Sequence, residues 1–293
     1  MNKAYKFRTM PNAEQQELFA KTIGCARFVY NRLLADKIAY YKETGKMLHN
    51  TPAQYKNEFP FLREVDSMAL CNAQLQVQAA YKNFFRDKSI GFPKFRSKKS
   101  SRKAYTTNCI NGNIAVAGNF LKLPKMGLVR VKFHRQIPAT HHIKSVTFSQ
   151  DPSGKYYVSV LTEYEAVEPE RTLNTDKALG LDYSSPHFYV DSQGTEADMP
   201  HFYRQSEQRL AMEQRKLSKM LKGGSNYQKQ KLRVAIVYEK VRNQRKDWQH
   251  KRSRELADKW DIVCVEDINY KGMSGSLRLG KATMDNGFGQ FRT

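Results

Sequence analysis

Two short apolar runs in this chain end on carboxylates. The first is Ala178-Leu179-Gly180-Leu181-Asp182-Tyr183-Ser184, and the second is Asp261-Ile262-Val263-Cys264-Val265-Glu266-Asp267. Carboxylates at the ends of neighbouring buried strands are hard oxygen donors that can hold divalent cations about 4 Å apart. One ion would activate a water and the other would stabilise the leaving oxygen of a phosphodiester. Asp182 and Glu266 are therefore the candidate catalytic and metal-ligating residues, with Mg²⁺ the cation that suits them. An Asp that closes a strand can equally be a turn former. Asp267 competes with Glu266, because neighbours on a strand point to opposite faces. Glu266 is preferred, and Asp267 is expected to cap the following turn.

The segment between the two runs is strongly basic. Residues 203–254 carry sixteen Lys/Arg against four Asp/Glu. A charged helix face is usually only solvated, but this excess favours phosphate contact, since cations release counterions from nucleic acid backbones. Arg215, Lys219, Lys222, Arg242, Arg245 and Lys246 are the candidate contacts here. A second basic stretch, residues 82–103, has nine Lys/Arg and one acidic residue, with Phe84, Phe85, Phe92 and Phe95 interleaved. There Lys82, Lys94, Phe95 and Arg96 could stack a base and pair with phosphates, or the segment could be a connector whose aromatics cap a helical core. Lys122 and Lys125 extend the candidate nucleic-acid set.

The elements that must hold these groups follow from periodicity. Residues 3–9 alternate as a strand. Pro11-Asn12 opens a helix carrying Leu18, Phe19, Ile23, Phe28, Val29, Leu33 and Leu34, in which Gly24 is a point of weakness or bending. A second helix is predicted over Asp66–Phe85. From 104 to 165 short apolar runs alternate with Gly/Asn/Pro turns, the pattern of a small β-barrel, which the first strand could join across the helical insertion. Beyond a polar linker, Ala178–Asp182 and 187–191 read as strands. Helices over 203–222 and 226–259 are broken by Gly223-Gly224-Ser225, with Leu210, Leu217 and Leu221 expected to face Leu232, Ile236, Val241 and Trp248. Two strands ending in carboxylates around such a hairpin fit an α/β fold of the ribonuclease H type.

Composition narrows the classes. The 293 residues carry a formal net charge of +22, which favours a polyanionic partner and leaves generic RNA binding open beside nuclease chemistry. No run of about 18 apolar residues exists, and Met1–Arg8 lacks the apolar core of a signal peptide. Cys25, Cys71, Cys109 and Cys264 form no C-x-x-C pair, so a reducing, cytoplasmic setting and no zinc site are expected.

At these residues the chain resembles the TnpB family of transposon-encoded, RNA-guided DNA endonucleases, relatives of the compact type V CRISPR effectors. The resemblance runs in order through Arg8-Thr9-Met10-Pro11-Asn12, Gly24-Cys25-Ala26-Arg27-Phe28-Val29-Tyr30-Asn31, Ala80-Tyr81-Lys82-Asn83-Phe84-Phe85 and Gly91-Phe92-Pro93-Lys94-Phe95-Arg96. It continues through Leu121-Lys122-Leu123-Pro124-Lys125, Gly180-Leu181-Asp182, Asn243-Gln244-Arg245-Lys246-Asp247, Cys264-Val265-Glu266-Asp267-Ile268 and Lys271-Gly272-Met273. It implies a wedge-like β-barrel (1–10 and 104–168), a helical recognition lobe (11–103) and a RuvC-like nuclease domain (176–293) containing the basic hairpin 203–259. It also implies a guide RNA from the transposon end and a double-stranded target DNA as partners, with Asp182 and Glu266 as the first and second RuvC carboxylates.

Relatives continue past the segment resembling Asp285-Asn286-Gly287-Phe288-Gly289-Gln290-Phe291 into a zinc ribbon with two C-x-x-C pairs and a final Asp, whereas this sequence stops at Thr293. In the family the residue matching Asp285 opens the helix before that ribbon. The expectation is a C-terminally truncated protein, with an incomplete Mg²⁺ site and no zinc ligands, that binds guide RNA and cuts weakly or not at all. The alternatives are a nuclease-deficient RNA-guided repressor and an RNA-binding remnant of a decayed element.

Overall fold

The computed structural model describes residues 1–99, 102–165, 172–269, 272, 280 and 285–292. The chain divides into two compact units, Met1–Val167 and Glu168–Thr293.

The first unit is built on a seven-stranded antiparallel sheet of order β2-β6-β7-β1-β5-β4-β3. Strand β1 (Asn2–Met10) lies inside the sheet, between β7 (Tyr156–Glu163) and β5 (Gly127–Lys132). Its alternation sets its orientation: Tyr5, Phe7 and Thr9 are buried, while Lys6, Arg8 and Met10 are exposed. The remaining strands are β2 (Ala104–Asn108), β3 (Ala115–Ala117), β4 (Phe120–Leu123) and β6 (His142–Gln150). The outermost strands, β2 and β3, do not pair with each other, so the sheet is a curled half-barrel and not the closed barrel that the turn pattern predicts. Helix α1 (Ala13–Thr44) starts with a capping box between Asn12 and Gln15 and stops at Gly45, which takes the left-handed conformation at φ 67°. It runs unbroken through Gly24. The Gln15 side chain also donates to the carbonyls of Met126 and Leu128, fixing the helix start to the β4–β5 turn. A one-turn helix, α2 (Tyr55–Glu58), precedes α3 (Ser67–Arg86), which is capped by the Asp66 carboxylate. Phe19 and Ala69 reach the sheet's core, and Val29, Leu33, Leu70 and Val77 form a second core between α1 and α3.

The second unit has a three-stranded sheet with β8 (Ala178–Ser184) at its centre, β9 (Phe188–Asp191) antiparallel on one side and β10 (Ile262–Val265) parallel on the other. The crossover from β9 to β10 contains α4 (Phe202–Ser218) and α5 (Ser225–Lys259). The seam between these two helices is the predicted one only in part: Leu210 and Leu217 belong to it and Val241 is buried. Leu210 packs on Val234 and Val237, joined by Tyr203 and Leu217, whereas Leu221, Leu232 and Ile236 are exposed. Helical spacing puts Leu232 and Ile236 on one stripe and Val234, Val237 and Val241 on another, and the valine stripe is the buried one. Trp248 belongs elsewhere, meeting the ring of Phe188 edge-on at 4.9 Å. Phe188 is fully buried at φ 80°, a rare backbone for a bulky residue, retained where Trp248, Phe288 and Phe291 surround its ring. Among the described residues, no helix is long and apolar enough to cross a membrane.

Candidate carboxylate cleft and nucleic-acid interface

The register of the small sheet determines where the acidic strand ends lie. On β8 the residues Leu179, Leu181 and Tyr183 are buried, so Asp182 points to the open side. On the parallel neighbour, Val265 lies opposite Leu181. Glu266 follows Val265 as Asp182 follows Leu181, so both carboxylates continue the same register step. Both are exposed and both line one open cleft of about 550 Å³, together with Gly180, Asp191, Ser192 and Cys264. The wall opposite Glu266 is the turn after β9. There Asp191 Oδ1 accepts from the backbone amides of Gln193 and Thr195 at 2.9 and 2.8 Å, and Ser192 Oγ accepts from the Gly180 amide at 3.2 Å. Asp191 thus uses one oxygen to shape the turn, and no sequence signal singled it out.

The donors at the mouth of this cleft are carboxylate oxygens, a set that fits Mg²⁺; the Cys264 thiol lies two residues back along β10. The Asp267 carboxylate is exposed and ion-paired with the Arg292 guanidinium at 2.6 Å, and the turn it was expected to cap runs into residues outside the described ones. Among the described residues, the single group of three potential ligands within 4.8 Å of one another is His187, Glu196 and Asp198. There His187 Nδ1 lies 2.7 Å from Asp198 and 3.4 Å from Glu196, and the hydrogen bond to Asp198 raises the imidazole pKa. The four cysteines are all free.

A buried polar cluster supports the cleft from behind. Asp285 has a fully buried carboxylate that accepts from the amides of Tyr203 and Arg204, the first turn of α4. Those amides would otherwise be orphaned at a helix N-terminus, where a negative charge is favourable. Asn286 Nδ2 donates to the Ser185 carbonyl at 2.9 Å and the Tyr183 hydroxyl at 3.3 Å, and Gln249 Nε2 donates to the carbonyls of Asn286 and Gly287. The C-terminal segment therefore holds the end of β8, α4 and α5 together. The resemblance read Asp285 as the start of a helix. Its carboxylate caps α4, 82 residues earlier in the chain, a partnership that local sequence cannot disclose.

The candidate nucleic-acid residues fall into two groups. Lys82, Lys94, Phe95, Lys122, Lys125, Arg215, Lys219, Lys222, Arg242 and Lys246 are exposed. Arg96 and Arg245 are half-buried. The Arg96 guanidinium lies over the Tyr30 ring, 3.7 Å from its centroid, and bonds the Gln76 side chain. Its backbone is clamped by both ends of the Asn31 amide. Burial lowers the Arg96 pKa while Tyr30 opposes that shift. Arg245 packs against Gly287, where an added Cβ would come within 3.0 Å of the guanidinium. These two arginines are built into the fold and present less of their charge than the sequence led one to expect.

Known proteins share this organisation. The family profile OrfB_IS605, described as "Probable transposase", matches residues 159–277, and HTH_OrfB_IS605, described as "Helix-turn-helix domain", matches residues 1–46. In this chain residues 1–46 form strand β1 and the single helix α1, without a helix-turn-helix. A protein of Streptomyces pristinaespiralis named "Putative RNA-guided DNA endonuclease" is 29% identical over 100% of this chain and 73% of its own length. The similarly named InsQ of Escherichia coli K12 is 29% identical over 93% of this chain and 68% of its own. A solved Cas12f1 structure, in a complex with sgRNA and target DNA, superposes with a TM-score of 0.57 at 10% identity, covering 98% of this chain and 86% of that one. At that identity the likeness is one of fold. Two related profiles match the chain, one at its start and one in its second half, its relatives align along nearly all of it, and the ordered motifs agree with both; together they support a member of the TnpB (OrfB_IS605) family.

Proposed function

We propose that this protein is a TnpB-type RNA-guided DNA endonuclease, with the second unit as its RuvC-like nuclease part and the first as the part that grips guide RNA and target DNA. The observation that carries the reading is the shared cleft of Asp182 and Glu266, formed by parallel strands whose register brings two carboxylates to one face. The names of the two relatives and the fold shared with Cas12f1 support the partners, a guide RNA and a double-stranded DNA. Asp182 and Glu266 would hold Mg²⁺ there. The cation, once bound, would supply a polarised phosphodiester oxygen and a more acidic water. The chain's own contribution is placement: the buried odd-numbered residues of β8 keep Asp182 outward, and the Asp191 turn borders the space a phosphate would enter. The basic helices α4 and α5 would hold the backbone of the nucleic acid, which base pairing with the guide selects.

The test is cleavage of a matched target by the protein with its guide RNA and Mg²⁺, compared with Asp182→Ala. Guide-dependent cutting that Asp182→Ala removes is the expected result; cutting that survives it would sink the assignment. A second reading, guided binding without cutting, is favoured by one observation: among the described residues no third ligand joins Asp182 and Glu266 within 4.8 Å. Guide-dependent retention of intact target by both proteins would select it.

A further inference from the structure

We propose that Arg292 is a positioning residue for the acidic cleft: by holding Asp267 outward, it keeps Glu266 as the carboxylate that faces the cleft. This role rests on the reading of the cleft as a cation site and deepens it. The ladder between β10 and β8 ends at Val265 opposite Leu181, and Glu266 to Asn269 carry no regular structure. Two adjacent carboxylates therefore stand beyond the last pair that the sheet fixes. Neighbours in extended backbone point to opposite sides, so a half-turn of this short stretch would exchange Asp267 for Glu266 at the cleft. The residue that opposes the exchange comes from the far end of the unit. Arg292 Nη1 donates to Asp267 Oδ1 at 2.6 Å and makes a long contact of 3.5 Å with the Glu266 carbonyl. One nitrogen thus holds both the Asp267 side chain and the peptide that joins the two acidic residues.

The guanidinium is itself anchored. Arg292 follows Phe291, whose ring meets Phe188 at 5.2 Å, and the Arg292 amide donates to the carbonyl of buried Phe288 at 3.0 Å. The tie therefore runs from the aromatic core to the strand end. Ile268, just past the acidic pair, packs on the same core. The stretch is pinned on both sides, and what remains to be set is which carboxylate turns inward. The Asp267 side chain is 94% exposed, and an exposed ion pair adds little to global stability. Its effect is on geometry, because a carboxylate engaged by a guanidinium is not free to compete for a cation. Local sequence leaves Glu266 and Asp267 as rivals, and a residue 25 positions beyond Asp267 decides between them.

The test titrates Mn²⁺, a paramagnetic stand-in for Mg²⁺, into the full chain and follows free Mn²⁺ by electron paramagnetic resonance, with thermal melting of each variant alongside. Arg292→Ala should weaken the site about tenfold, as loss of a partner behind a metal ligand does, at an unchanged melting temperature. Arg292→Lys should recover most of that loss, because a single nitrogen makes both contacts. In a Glu266→Ala background, Arg292→Ala should cost nothing further, since the residue it positions is gone; a further tenfold loss there would make Arg292 a general support and overturn the proposal. Full Mn²⁺ affinity in Arg292→Ala, with the site still lost in Asp182→Ala, overturns the positioning role and leaves the cleft reading intact. A site indifferent to both Asp182→Ala and Glu266→Ala removes the cleft reading, and this role with it. Should Arg292→Ala melt lower, Arg292→Met, which keeps the aliphatic stem, takes its place: the same weakening at the wild-type melting temperature sustains the proposal, and full affinity overturns it.

Discussion

The two sheets of this molecule solve the same packing problem by different means. The sheet of the first unit has seven strands, and an aromatic and aliphatic core including Phe7, Phe19, Phe148, Val129 and Val158 is buried against it. The sheet of the second unit has three strands, and its parallel edge, β10, leaves Val263 and Val265 more than a third exposed. Around that smaller core, side chains from distant segments do what strand count does in the other: Asp285, Asn286 and Gln249 fasten strand, helices and C-terminal segment by hydrogen bonds. The comparison teaches that the larger sheet can carry unpaired surface charge, whereas the smaller depends on a few contacts far apart in sequence. Its exposed open side is also where the acidic cleft lies.

The largest effect should come from the aromatic centre of the small core. Phe188→Ala removes a fully buried ring and should cost about 3–5 kcal/mol, partly offset by relief of its unusual backbone; chemical denaturation monitored separately in the two units should show the second unit unfolding first. Equal loss in both units would break the contrast drawn above. Next, Asp285→Ala should cost about 1–3 kcal/mol, because two buried amides lose their acceptor, and amide exchange at Tyr203 and Arg204 should accelerate before exchange in the large sheet. Asp182→Ala, by contrast, should leave the melting temperature unchanged, since that carboxylate is exposed, while abolishing Mg²⁺-dependent cleavage.

Smaller effects sharpen the picture further. Arg96→Ala should cost about 1 kcal/mol of stability in the first unit, and Arg96→Lys should not restore it, because an ammonium cannot reproduce the planar stack on Tyr30. A loss of RNA affinity without loss of stability would reverse that reading. The smallest effect concerns His187. Its pKa is raised chiefly by the hydrogen bond to Asp198, so the pairing contributes fully below the ordinary histidine value of 6.5 and fades as pH rises through the raised value. A gentle decline in the second unit's stability as pH rises beyond the ordinary histidine value, absent in His187→Ala, is the expected titration; an opposite slope would contradict the pairing.

Much of the site was legible because strands announce themselves locally. The alternation in Ala178–Ser184 is enough to place Asp182 on the face opposite Leu179 and Leu181, and the capping pair Asn12 and Gln15 marks the start of α1 within four residues. The α4 side of the helical seam was legible in Leu210 and Leu217, but its α5 side was misread in part, because two apolar stripes on α5 satisfy the same spacing and nothing local decides which one meets α4. Arg96 and Arg245 look like surface cations in sequence, yet a ring on α1 and a glycine near the C-terminus draw them inward. The charge excess, the helix and strand identities and the family motifs were therefore determined by the sequence alone, since each depends on composition or on residues a few positions apart. Only the tertiary structure decided that β1 joins β5 and so aligns Arg8 with Lys132, that Glu266 continues the register of Asp182, and that Asp285 caps α4. Those outcomes depend on which distant strands and helices are nearest neighbours, a choice made by the packing of whole faces and not by any one segment.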